Sequence, residues 1–259
     1  MLELIASAVE ALSWAEITVL AVAAVLAGFL RGFVGFGGAL VVIMVASVIF
    51  GPIMAVGISS LSGVSSTIQL LPSAIRLAER RFVVPLVLAT FAVAPLGTWV
   101  LVVADPEIMK MAISVFVLIA VTMMYRGWRL ATPPAWTTLV GAGAVAGLVQ
   151  GAAGVGGPAA VTVALAQGGE PAQQRANVIG AVTALSICNI PPLWFMGVYT
   201  VEVVILGAMT FPLYSGGTWL GARFFSGSGH RIFRNAALIG LAVLGVVTLG
   251  IALRDHFAV

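Results

Sequence analysis

The chain has 259 residues, 61% of them hydrophobic and only 8% charged, with a formal net charge of +3 and a mean hydropathy of +1.16. Soluble domains carry roughly 25% charged residues, so this composition excludes one and defines a polytopic integral membrane protein. The apolar stretches run almost end to end and are continuous rather than alternating, which predicts helices, excludes barrel strands and leaves no room for a separate soluble domain.

The first residues, MLELIASAVEALSWAE, carry Glu3, Glu10 and Glu16 and no basic n-region, so they read as a short amphipathic lead-in and not as a cleaved signal peptide. Hydrophobic segments follow at about 15–34, 38–50, 53–75, 82–103 and 108–128, then at 136–153, 157–168, 176–196, 202–222 and 233–253. Each half holds five, and the second of each five is short. About 13 residues of helix rise ~20 Å, less than a ~30 Å hydrocarbon core. The first two segments of each half therefore predict a hairpin or a broken helix.

At the tip of the first hairpin the chain reads GFLRGFVGFGGAL, from Gly28 to Leu40, and 119 residues later GLVQGAAGVGGPA, from Gly147 to Ala159. Five glycines share one register, Gly28, Gly32, Gly35, Gly37 and Gly38 falling on Gly147, Gly151, Gly154, Gly156 and Gly157, with Arg31 on Gln150. Pro52 falls on Pro171 and Pro72 on Pro191, and after one inserted residue Gly97-Thr98-Trp99 falls on Gly217-Thr218-Trp219. The expected organisation is an all-α integral membrane protein built of two repeats, 1–130 and 131–259, each of about five segments and each opened by a glycine-broken hairpin.

Loop charge gives the relative orientation of the halves. The connection between segments three and four carries Arg76, Arg80 and Arg81, while its counterpart FMGVYTVE has no basic residue; the next connection reverses this, with Asp105, Glu107 and Lys110 against Arg223, Arg231 and Arg234. Basic loops stay cytoplasmic, so the repeats are expected to be inverted, with both termini outside. The pI near 9.6 thus reports orientation and calls for no nucleic-acid partner. Inverted repeats with interrupted helices in matching places are the pattern of secondary transporters, whose site lies at the repeat interface near the bilayer midplane.

Several residues at that interface suit an anion. Gly35, Gly37, Gly38 and their counterparts Gly154, Gly156 and Gly157 can unwind the backbone and present amides at restarting helices, and helix N-termini attract negative charge. The same glycines can also serve close helix packing, which is the preferred reading for Gly28, Gly32, Gly147 and Gly151 with their GxxxG spacing. Arg31, between apolar runs, costs ~2.5–3.5 kcal/mol at membrane depth. It either neutralises a bound anion with its planar fork, opposite Gln150, or snorkels to the headgroups. Ser59, Ser62, Ser66 and Gln69 form one polar helical stripe, and Asn177, Thr183, Ser186 and Asn189 form its counterpart; Gln69 and Asn189 are the candidates for a pathway role. Thr98, Trp99, Thr218 and Trp219 read as repeat packing.

GFLRGFVGFGGALVVIMVASVIFGPIMAVGISS with the basic connection near Arg80, and the second GxxxGxxGxGGP copy with Arg175 and Asn177 downstream, resemble the TauE/SafE family of bacterial membrane proteins, often labelled sulfite exporters. The resemblance spans essentially the whole chain. It implies a transporter of the bacterial inner membrane that moves sulfur-containing anions such as sulfite or sulfonates. The first motif ends Gly37-Gly38-Ala39 where many members have a third glycine, and Gln150 stands opposite Arg31; these departures bear on the substrate.

Other chemistries lack their residues. No carboxylate falls mid-segment, there is no P-loop, the glycines have no βαβ context, and no nucleophile has a base at workable spacing, so an enzyme is not expected and no cofactor is called for. One cysteine, Cys188, excludes an internal disulfide, and His230 and His256 near loops argue against a metal site. The expected partners are a small anion, the lipid bilayer and a second copy of the chain. An anion channel and a membrane scaffold stand as the alternatives to alternating-access transport.

Overall fold

The structure is a computed structural model that describes residues 13–126, 135–166 and 171–224, with a few single positions between 243 and 254. Among these residues it is all helical. The helices are α1 (Trp14–Val34), α2 (Gly38–Phe50), α3 (Pro52–Leu77), α4 (Arg80–Val103), α5 (Pro106–Tyr125), α6 (Trp136–Ala153), α7 (Gly157–Ala166), α8 (Pro171–Phe195) and α9 (Val201–Phe224). Seven of them are long and apolar enough to cross a membrane. The predicted tenth segment, residues 1–12 of the amphipathic lead-in, the two histidines and the linker centre lie outside the described residues, save for single helical positions of the tenth; the last four residues of the lead-in belong to the start of α1.

Local chemistry sets the helix ends. Ser13 and Glu16 close a capping box at the start of α1. Pro52 and Pro171 open α3 and α8, where a missing N–H costs nothing. Because Pro171 is a start signal, α8 begins five residues before the expected 176, which places Arg175 inside the helix rather than in a loop. The short segments are helices of 13 and 10 residues. α2 is apolar but for Ser47, with Val42, Ile43, Met44 and Ala46 fully buried and Val48 partly exposed near its end, as befits a helix largely enclosed by protein.

α3 and α8 cross at the centre of the molecule, α2 and α7 lie against them, and each opening helix packs on a helix from the other half, α1 on α9 and α6 on α4. These last two crossings are backbone to backbone. A Cβ on Gly28 or Gly32 would overlap the α9 backbone at Tyr214 and Thr218, and one on Gly147 or Gly151 would overlap the α4 backbone at Thr90 and Ala94. The packing reading of these four glycines is thus the one the structure displays. Thr98 and Thr218 sit fully buried at the same crossings, while Trp99 and Trp219 face outward, about half exposed.

Candidate functional site

Both helix breaks are glycine turns. α1 ends on Gly35 at φ 93°, whose N–H donates to Arg31 O at 2.9 Å, and α2 starts after Gly37 at φ 90°. Such φ values are the left-handed region that only glycine enters cheaply. α6 likewise ends on Gly154 at φ 68°, with its N–H on Gln150 O at 2.8 Å. No side chain caps the N-terminus of α2, so its first amides are available to whatever fills the space in front of them.

That space is a recessed cavity of about 50 Å³ open to the centre of a water molecule, enough for three or four waters or a small ion. Gly37 and Gly38 reach it from the first break; Gln150, Gly154 and Gly157 reach it from the second. α3 supplies Ser59, Ser60 and Ser66, α8 supplies Ser186 and Asn189, and α9 supplies Tyr214. Arg31 lines it too.

Arg31 is only 3% exposed. Its guanidinium donates through Nη1 to the carbonyl of Gly35 and through Nη2 to Thr183 Oγ1 at 3.1 Å. Both acceptors are neutral, and no carboxylate pairs with the arginine among the described residues. The snorkelling reading is therefore corrected: the side chain turns into the protein. Asn189 is 1% exposed, and its Oδ1 meets no hydrogen-bond donor. A buried polar atom left so costs about 1–3 kcal/mol, and turning the amide over lets it offer N–H in place of oxygen.

The remaining expected residues fall elsewhere. Gly35 bonds to Arg31 and abuts Ile179 of α8 rather than lining the cavity. Gly156 donates its N–H to Gln150 Oε1 at 3.0 Å, holding the second break from behind. Gln69 is exposed and donates to Ser215 Oγ at 2.7 Å, tying α3 to α9. Asn177 Oδ1 accepts from the Glu79 N–H at 2.9 Å and steadies the start of α4.

Two participants were not singled out in the sequence. Ser60 lines the cavity and bonds Tyr199 at 2.9 Å. Tyr214 is 2% exposed, and its hydroxyl lies where a Cβ on Gly38 would be. Its signal was a break in the repeat, because Ala94 stands at the matching place in α4.

Apolar helices of spanning length around a recessed cavity, walled by two helix starts, hydroxyl and amide side chains and a buried arginine, define a multi-pass membrane protein with a candidate site for a small solute. The chain belongs to the sulfite exporter TauE/SafE family, whose model matches residues 20–248; it is a membrane transporter. No curated protein and no solved structure matches it.

Proposed function

We propose that the protein is a secondary transporter of small sulfur-containing anions, sulfite or a sulfonate, working by alternating access in the bacterial inner membrane. The observation that carries this reading is Arg31: a charge held at 3% exposure with only neutral partners, on the wall of a cavity that two helix starts also face. An oxyanion seated there would offset the buried charge, accept from the free amides of α2 and meet the Asn189 amide and the serine hydroxyls. The site residues are proposed to be Arg31, Gly37, Gly38, Gln150, Gly154, Gly157 and Asn189.

The two-repeat organisation at 1–130 and 131–259 is part of the proposal. Its support is the exchange of helices between halves, α1 on α9 and α6 on α4, around the α3–α8 crossing. Inversion is supported by the loop charges, which put the α3–α4 connection on the cytoplasmic side and the termini outside.

The test is thermal stabilisation of the purified protein with sulfite, taurine, isethionate, sulfoacetate and acetate, followed by uptake in proteoliposomes. At least one sulfur oxyanion is expected to raise the midpoint, more than acetate does, and to be taken up saturably. A flat response across the panel would sink the reading. Uptake that never saturates would indicate a channel instead.

A further inference from the structure

The two halves use the same helices against each other in different registers. With Gly97-Thr98-Trp99 laid on Gly217-Thr218-Trp219, Thr90-Phe91 falls on Thr210-Phe211, Val83 on Val203 and Ala94 on Tyr214. In the crossing of α1 with α9, Gly28 lies over the Tyr214 backbone and Gly32 over Thr218. In the matching crossing of α6 with α4, Gly147, the counterpart of Gly28, lies over Thr90, and Gly151 lies over Ala94. Thr90 answers to Thr210, four residues before Tyr214. α9 is thus displaced along α1 by one helical turn, ~6 Å, relative to the placement of α4 on α6.

The third helices show the same offset independently. Leu61 of α3 packs on Gly207 of α9, whereas its counterpart, Gly180 of α8, packs on Val83, which answers to Val203. That is again four residues and in the same sense. α9 is therefore shifted as a body relative to both α1 and α3. In the slid seat Gly217 would pass from Val25 to Phe29, the place Gly221 now fills, while Leu213 would come to Val25; a one-turn ratchet of one element past another is an established form of switching.

The shift has a passenger. The Tyr214 hydroxyl sits against Gly38 at the start of α2, and Tyr214 shares the cavity wall with Ser66 and Arg31. Were α9 to take the seat that α4 occupies, Tyr214 would stand over Gly32, ~6 Å along α1 from its present place. We propose that Tyr214 is a substrate ligand of the anion site, carried in and out by a one-turn slide of α9 along α1 and α3, and that this slide is the step that exchanges access. The proposal rests on the anion-transport reading above.

Cysteine pairs in the full chain, in a Cys188→Ala background and reconstituted in proteoliposomes with isethionate as probe, a sulfonate that, unlike sulfite, leaves disulfides intact, test it. Leu61→Cys with Gly207→Cys reports the present seat, and Leu61→Cys with Val203→Cys the slid one. Both pairs are expected to cross-link on oxidation, isethionate is expected to change their ratio at least twofold, and each disulfide should arrest uptake until reduced. Cross-linking of the Gly207 pair alone, or uptake that continues through either disulfide, overturns the slide. If a reduced pair takes up no isethionate, Phe29→Cys with Phe224→Cys or with Leu220→Cys poses the same question on α1, where the Phe29 and Phe224 rings now lie 6.0 Å apart.

Tyr214→Phe keeps the ring and removes the hydroxyl. It is expected to raise the half-saturating isethionate concentration about tenfold and to abolish the effect of isethionate on the cross-link ratio, which a packing role would leave unchanged. Unaltered half-saturation with a responsive ratio overturns the ligand role. A wild type that neither takes up nor is stabilised by any sulfur oxyanion fails the transport reading; a wild type that transports while its pairs stay in one seat fails only this one.

Discussion

The two helix breaks solve one backbone problem with opposite chemistry. At the first, Arg31 donates to the carbonyl of Gly35; at the second, Gln150 accepts from the N–H of Gly156. Gln150 shows that a neutral amide suffices to hold such a break. The break itself therefore does not require the positive charge of Arg31, which also reaches Thr183, and a charge that costs ~2.5–3.5 kcal/mol at membrane depth is what the proposed anion would offset. Arg31→Gln, which makes the two breaks chemically alike, is expected to leave the folded, membrane-inserted yield near wild type while weakening anion uptake by ~30-fold or more, the loss of a buried charge contact worth about 2–5 kcal/mol. Gel filtration and an uptake titration check both halves of the expectation. Uptake near wild type in Arg31→Gln would break the comparison.

Next in size are the crossings behind the breaks. Gly32→Ala and Gly151→Ala each put a methyl into a facing backbone that has no flexible end to yield, so the helices must part, and overpacking of this kind costs about 1–3 kcal/mol. Because the two crossings are the same device, both variants should lower thermal stability by similar amounts. An unequal pair would show that one crossing is looser than the other.

Gln150→Leu attacks the second break alone. It leaves the Gly156 N–H buried without its acceptor, a penalty of about 1–3 kcal/mol, and it should lower the melting midpoint with a smaller effect on the half-saturating anion concentration than Arg31→Gln has. A larger effect on saturation than on melting would make the contact of Gln150 with substrate, and not its hold on the break, its main part.

Which parts of this were legible beforehand follows from the range of the interactions. Helix positions were, because Pro52, Pro171 and the glycine turns are local signals; the one sizeable miss, the start of α8, came from reading Pro171 as a loop residue instead of a helix opener. The glycines that let backbones meet were legible too, since GxxxG spacing is itself a surface pattern. The cavity lining was legible only in part. Tyr214 is an aromatic residue in an apolar helix, and nothing within α9 distinguishes it from packing; only the cross-half pairing with α1 brings its hydroxyl to Gly38. Thr183 lay on a predicted polar stripe, yet its partnership with Arg31 joins residues 152 positions apart, which no periodicity reveals.

Gln69 and Asn189 make the sharpest case, since the sequence offers the same grounds for both: an amide on a polar stripe in the third helix of its repeat. The fold separates them. Asn189 is buried on the cavity wall with an oxygen that meets no donor, whereas Gln69 is exposed and already spends its amide on Ser215. Asn189→Ala is expected to remove the proposed hydrogen bond to the anion, worth about 0.5–1.5 kcal/mol, and so to raise the half-saturating concentration roughly 2- to 12-fold. Gln69→Ala removes an exposed tether between α3 and α9, and exposed changes of that kind stay within about 0.5 kcal/mol. Equilibrium affinity should therefore be unchanged in Gln69→Ala. The tether does cross the interface along which α9 is proposed to slide, so its loss is expected to show as a faster maximal uptake rate at unaltered half-saturation. A change in half-saturation as large as that of Asn189→Ala would bring Gln69 back to the substrate path.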